Sequence, residues 1–116
     1  IHEKIYESRW KYLVELEKMG AKYENFQPEG FSAKDYNFNN SEYKKEDLYG
    51  AYVYGPTKLK PAEMDSKDVR AGIDVLLASL VANGQSVIHD PSGHIDRGYE
   101  NIVEKLSNLG ADISRI

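Results

Sequence analysis

Two arginines in this sequence fall where a helix disfavours a cation. Arg97 follows Asp96 in the run Gly93-His94-Ile95-Asp96-Arg97-Gly98-Tyr99-Glu100. Asp96 reads as an N-cap, and Ile102, Leu106 and Leu109 then recur at helical spacing until Gly110 stops the pattern. Arg97 is thereby placed at the first helical position, where the macrodipole opposes a positive charge by roughly 0.3–1 kcal/mol. Arg70 repeats the arrangement just inside an earlier helix opened by Ser66, Lys67 and Asp68. A guanidinium presents paired donors that match a carboxylate or a phosphate, and the free N–H groups of a helix start point the same way. Two cations at two helix starts predict an anion between them. The competing reading pairs each arginine with a local acid, Arg70 with Asp68 or Asp74 and Arg97 with Glu100 or Glu104.

Other chemistry is weaker. His89, Asp90, His94 and Asp96 have metal-ligand side chains, but their spacing matches no zinc pattern and the intervening Pro91 and Gly93 scatter them, so no metal is expected. Ser92, His94 and Asp96 lack the strained turn that makes a serine a nucleophile. His94 is expected to be packed or hydrogen-bonded beside the arginine site. The carboxylates lie mostly on predicted wet helix faces. The tyrosines, several of them in 36–54, could stack a sugar or a base, but such residues more often form one side of a hairpin.

The elements that must position the arginines follow a repeated pattern. Over 7–19, Trp10, Leu13, Val14 and Leu16 make one helix face, with Lys11, Glu15, Glu17 and Lys18 on the wet side. Gly20 stops that helix, and 21–26 reads as a strand. A second unit runs from a helix over 69–81 through Asn83-Gly84 to a strand at 86–89, and a third from a helix over 102–109 through Gly110 to a strand at 111–116. Helix, glycine and strand in succession predict an α/β (α+β) fold with helices on one face of a mixed sheet. The likeness of Leu16-Glu17-Lys18-Met19-Gly20-Ala21-Lys22 to Lys105-Leu106-Ser107-Asn108-Leu109-Gly110-Ala111-Asp112 hints at an internal repeat, although any helix turning through Gly-Ala looks similar. Residues 51–54 form a short strand candidate. Residues 27–48 form an irregular insertion, with a polar middle that includes Asn39, Asn40 and Lys45, and with Tyr36, Phe38, Tyr43 and Tyr49 expected to pack on something.

The chain of 116 residues is long enough for one domain with a real core, so 1–116 is read as a single domain. It opens on Ile1 and not on Met, which predicts a piece of a longer protein whose first strand is cut short. With 41% hydrophobic residues, 29% charged residues and a net charge of −4, it has the composition of a soluble globular protein. The acidic balance argues against binding a nucleic-acid backbone. The absence of cysteine excludes disulfides and thiolate metal sites within the chain. No apolar run is long enough to span a bilayer and no leader precedes the first helix, so no membrane association and a cytoplasmic address are expected. Exposed sheet edges predict a homo-oligomer.

The motifs resemble the last part of the enolpyruvyl transferases, in the branch of UDP-N-acetylglucosamine 1-carboxyvinyltransferase, which opens peptidoglycan synthesis in bacteria. The resemblance is carried by Asp68-Val69-Arg70-Ala71-Gly72, by Leu76-Leu77-Ala78-Ser79-Leu80 with Asn83-Gly84-Gln85-Ser86-Val87, and by His94-Ile95-Asp96-Arg97-Gly98-Tyr99-Glu100 with Leu109-Gly110-Ala111-Asp112-Ile113. Near the start, Tyr6-Glu7-Ser8-Arg9-Trp10 is similar to the family's Phe-Glu-Asn-Arg-Phe. Residues 27–48 fall outside the resemblance. The resemblance implies a fold of repeated βαβαββ units, with this chain holding the end of one and most of the next.

The same resemblance implies the chemistry. Arg70 and Arg97 match family arginines that contact phosphoenolpyruvate, and Ile5 matches a position that touches the UDP-sugar. Arg9, within its motif, and His94, beside Arg97, complete the expected substrate-binding residues. The sugar 3-hydroxyl attacks C2 of phosphoenolpyruvate while C3 is protonated, and the ketal expels phosphate. No cofactor is implied. The family's cysteine or aspartate acid, its lysine and its aspartate base have no counterpart here, so the chain alone is expected to be inactive. The alternative is a stand-alone non-catalytic module of the same fold that binds an anionic ligand or a protein partner.

Overall fold

A computed structural model describes residues 1–6, 9–38, 41–44 and 46–116. Glu7 and Ser8, at the start of the first predicted helix, and Asn39, Asn40 and Lys45, in the predicted insertion, lie outside the described residues. The chain divides into two compact units, Ile1–Thr57 and Lys58–Ile116.

In the first unit, α1 spans Lys11–Lys18, and β1 (Lys22–Phe26) pairs antiparallel with β2 (Gly50–Tyr54), Lys22 opposite Tyr54 and Phe26 opposite Gly50. The first residues of the chain lie along the other edge of β2. Ile1 and Ala51 exchange two backbone hydrogen bonds of 2.9 Å, and Glu3 N donates to Tyr49 O at 2.8 Å.

The buried face of α1 differs from the expected one. Val14 is 50% exposed and Glu15 only 2%. Tyr12, Leu16 and Met19 lie on one helical line, which turns Val14 outward and carries Glu15 inward, where Lys18 Nζ meets its carboxylate at 2.6 Å. Trp10 is not part of the helix and donates from Nε1 to Leu48 O at 2.7 Å.

The insertion packs around Tyr49, which is 2% exposed. The Tyr36, Phe38 and Tyr43 rings lie 4.8, 5.4 and 5.4 Å from it, the separations of favourable aromatic pairs. A short 3₁₀ turn, Ala33–Asp35, leads into this cluster, capped where Asp35 accepts from Ser32 N and Oγ.

The second unit opens with a βαβ crossover. A short strand that the sequence pattern did not reveal, β3 (Glu63–Asp65), leads to α2 (Val69–Val81) and on to β4 (Val87–His89), which pairs parallel with β3. The fold is mixed α/β, but among the described residues its strands form two two-stranded sheets, one antiparallel and one parallel, and not one mixed sheet. Met64, Ala71, Val75, Leu76 and Ile95 make the core of this unit.

The single helix expected after Asp96 is two helices, α3 (His94–Gly98) and α4 (Ile102–Asn108), broken at Asn101, whose φ of 51° lies in the left-handed region that Asn tolerates. The strand expected at 111–116 is not formed, because no described segment pairs with it. Leu109, expected on the apolar stripe of α4, is 84% exposed.

The likeness between the two Gly-Ala turns is a shared helix stop. Ala21 N donates to Leu16 O and Gly20 N to Glu17 O, and in the same way Ala111 N donates to Leu106 O and Gly110 N to Ser107 O. Gly20 and Gly110 have φ of 92° and 96°, so both ends are Schellman motifs.

Candidate functional site

The arginine site is built where α3 crosses the first turns of α2. Asp68 is the N-cap of α2, its Oδ1 accepting from Arg70 N at 3.0 Å and from Ala71 N at 2.9 Å. Ser66, expected to help open this helix, is instead buried, donating from its backbone N to His89 O at 2.8 Å. Arg70 therefore sits at the second helical position, exposed, in the first turn as predicted.

Arg97 does not sit where the sequence placed it. Helix α3 is opened by Gly93, in the left-handed region, and is capped by Asp90, whose carboxylate accepts from His94 N at 2.8 Å and Ile95 N at 2.9 Å. Asp96 is inside the helix, and its carboxylate takes the guanidinium of Arg115, which holds it below the usual carboxylate range. Arg97 thus stands in the last turn of a short helix, where a cation is not disfavoured. Arg70 is thus a cation at a helix start, and Arg97 is not.

The helices that carry the two arginines are packed together, because the residues beside the arginines touch. Gly98 is packed so closely on Val69 that a side chain there would overlap Val69 Cγ1. One turn further in, a Cβ on Gly72 would meet Ile95 Cγ1 at 2.7 Å and Ser66 Oγ at 2.6 Å. Small residues at these positions let the helices approach, and that approach sets the first turn of α2 against the arginine-bearing end of α3.

Electrostatically the site is mixed. The Asp74 carboxyl is raised by burial and by the charge of Asp68, with Arg70 opposing both. Arg97 donates from Nε to Gly93 O at 3.3 Å and makes a contact of 2.7 Å from Nη2 to His94 Nδ1. Neither Glu100 nor Glu104 pairs with it among the described residues. His94 is therefore bonded beside the arginine, as expected from the sequence.

His89 pairs with Glu63 at 2.5 Å. No group of three or more His, Cys, Asp or Glu side chains that could hold a metal occurs among the described residues.

Ile5 and Arg9 lie in the first unit, and a residue not singled out from sequence organises them. Glu3 Oε1 accepts from Ile5 N at 2.7 Å and Tyr6 N at 3.1 Å, while its Oε2 lies 3.8 Å from Arg9 Nε. The Arg9 guanidinium lies over the Tyr6 ring, 4.0 Å from its centroid. Ile5 is exposed. Asp90, read from the sequence only as a metal-ligand type, is missed as a cap, and its signal was present: an Asp ahead of Pro91-Ser92-Gly93 and a helix.

A mixed fold of helices and small sheets agrees with a match to the family model of EPSP synthase (3-phosphoshikimate 1-carboxyvinyltransferase) over residues 1–106. The chain belongs to this family. Among its relatives, it is 40% identical over 115 residues to UDP-N-acetylglucosamine 1-carboxyvinyltransferase 2 of Listeria monocytogenes, covering 99% of this chain and 22% of that protein. It is 40% identical over 116 residues to UDP-N-acetylglucosamine 1-carboxyvinyltransferase of Acinetobacter baylyi, covering 100% of this chain and 22% of the relative. To the enzyme of that name from Desulforapulum autotrophicum it is 38% identical over 116 residues, covering 100% of this chain and 23% of the relative. The chain thus spans less than a quarter of the length of these relatives. No helix among the described residues is long and apolar enough to cross a membrane.

Proposed function

We propose that this chain is part of a bacterial, cytoplasmic enolpyruvyl transferase of peptidoglycan synthesis. That enzyme moves the enolpyruvyl group of phosphoenolpyruvate to the 3-hydroxyl of UDP-N-acetylglucosamine. The observation that carries the reading is the 40% identity along 99% of the chain to a protein named for that reaction. Within the family's repeated βαβαββ architecture, the chain holds the end of one unit and most of the next.

Arg70 and Arg97 supply cations of the phosphoenolpyruvate site in this reading. The substrate carries a carboxylate and a phosphate, and the phosphate leaves with its bonding electrons when the ketal collapses. Fixed guanidinium groups offset that charge where it develops, and they hold C2 in reach of the attacking hydroxyl. The contact of Gly98 with Val69 supports the assignment, because it joins the two arginine-bearing turns. Ile5 and Arg9 contribute to the UDP-sugar side. The acid and base of the reaction come from the remainder of the polypeptide, so the chain by itself is inactive.

The test is phosphate release from phosphoenolpyruvate by the polypeptide of full family length that carries this chain. Release is expected with UDP-N-acetylglucosamine as acceptor and not with 3-phosphoshikimate. Arg70→Ala and Arg97→Ala are each expected to lower kcat by about 10²–10³-fold, the cost of removing one charge-stabilising donor. Turnover retained in both variants would remove the arginines from the mechanism. No turnover with either acceptor would favour the non-catalytic module.

A further inference from the structure

We infer that His94 is a positioning residue for Arg97: as the ring with its proton on Nε2, it holds the guanidinium through Nδ1. The inference rests on the phosphoenolpyruvate reading of Arg97 and goes beyond it by naming the side chain that holds the guanidinium in place.

Arginine only donates, so the 2.7 Å contact between Arg97 Nη2 and His94 Nδ1 makes Nδ1 the acceptor. An accepting Nδ1 carries no hydrogen. The ring is then neutral, with its N–H on Nε2. A protonated ring would set N–H against N–H and one cation against another, and the bond would be lost.

Geometry gives that bond a use. Arg97 Nε donates to Gly93 O, so the edge of the guanidinium formed by Nε and Nη2 is turned toward α3 itself. Of the five N–H donors of an arginine, three remain without a partner among the described residues, and they include both on Nη1. The end edge, Nη1 with Nη2, is free for the paired oxygens of a carboxylate or a phosphate. The backbone that carries the ring is itself anchored, since Asp90 binds the backbone N–H groups of His94 and Ile95, and Ile95 is buried. A long side chain is thereby fixed before the substrate arrives, which lowers the entropy lost on binding.

The charged and titratable groups around this pair are Arg97 and Asp96 on α3, Asp90 in the loop before it, Arg115 on Asp96, and Asp68, Arg70 and Asp74 on α2, the helix packed against α3. Asp90 is engaged with backbone and Asp96 with Arg115, and neither carboxylate is bonded to the His94 ring.

Two measurements test the inference. In nitrogen-15 NMR of the 116-residue chain, His94 is expected as the Nε2–H tautomer, and Arg97→Ala is expected to return it to the tautomer mixture of a free histidine. An Nδ1–H ring in the unsubstituted chain overturns the inference, whatever the function. In the polypeptide of full family length, His94→Ala is expected to raise KM for phosphoenolpyruvate about tenfold and to leave KM for UDP-N-acetylglucosamine unchanged. His94→Asn, whose amide oxygen can take the place of Nδ1, is expected to restore most of that loss. His94→Asn as impaired as His94→Ala overturns the inference. Arg97→Ala run alongside separates the two readings: an unchanged kcat and phosphoenolpyruvate KM there sink the role of Arg97, whereas a loss there beside an unaffected His94→Ala sinks the positioning role alone.

Discussion

Gly98 rests on the side chain of Val69, and each is the chain neighbour of an arginine, Arg97 and Arg70. The site therefore depends on a contact made by two residues that carry no charge. Its geometry is set by what is absent at Gly98 and Gly72 as much as by the guanidinium groups.

Adding a methyl group at this crossing tests the contact. In an ordinary helix interior, replacing Gly by Ala stabilises by about 1 kcal/mol. Gly72→Ala is expected to do the reverse, because its Cβ would meet Ile95 Cγ1 at 2.7 Å. A net loss of about 1–3 kcal/mol is expected from overpacking, read as a lower urea midpoint. Gly98→Ala should lose stability too, and Val69→Ala in the same chain should recover part of it. A stabilised Gly72→Ala would show the crossing to be loose.

Asp90 is expected to matter more to α3 than Asp96 does. Asp90→Ala leaves the N–H groups of His94 and Ile95 without their acceptor and should cost about 0.5–2 kcal/mol. Asp96→Ala removes only an exposed pair with Arg115 and should cost less. Thermal unfolding of the two variants gives the order, and a larger loss from Asp96→Ala would restore it as the cap.

Asp74 sets a pH dependence with a definite sign. Burial, and then the charge of Asp68, raise its folded pKa above 3.8. Between the unfolded and the folded pKa the native state binds a proton that the unfolded state has released. Stability from this group is therefore lost as pH rises through the folded value. Asp74→Asn is expected to raise the unfolding midpoint at neutral pH. The advantage should shrink on acidification and vanish where both states are protonated. A constant difference across pH would exclude ionisation of Asp74 as its cause.

The aromatic cluster of the first unit should behave as core. Tyr49→Ala is expected to cost about 3–5 kcal/mol, the range for emptying a large aromatic site. Tyr49→Phe keeps the ring but loses the hydroxyl that accepts from Lys44 N at 3.0 Å, at a cost of about 1 kcal/mol. Equal effects from the two, measured by urea denaturation, would mean that the hydroxyl and not the ring holds the insertion.

Much of the fold was legible. The bounds of α2 and the turns at Gly20 and Gly110 follow from signals confined to a few neighbouring residues: apolar spacing, a cap and a glycine stop. Strand β3 was not legible, because three residues carry too little alternation to register, and Glu63–Asp65 becomes a strand only beside β4. Of the site, Arg70 at its helix start and His94 beside Arg97 were readable.

The sequence by itself determined which residues can carry charge to an anion, where α2 begins and ends, and the family to which the motifs point. Only the tertiary structure decided that Asp90 and not Asp96 caps α3, that Glu15 turns inward while Val14 faces water, and that Arg97 stands at a helix end. The physical reason is range. Caps, stops and periodicity act within a turn or two of chain, so they are written locally. Which of two nearby carboxylates a backbone N–H takes, and which side of a helix is covered, depend on neighbours such as Val69 against Gly98, brought together from distant parts of the chain.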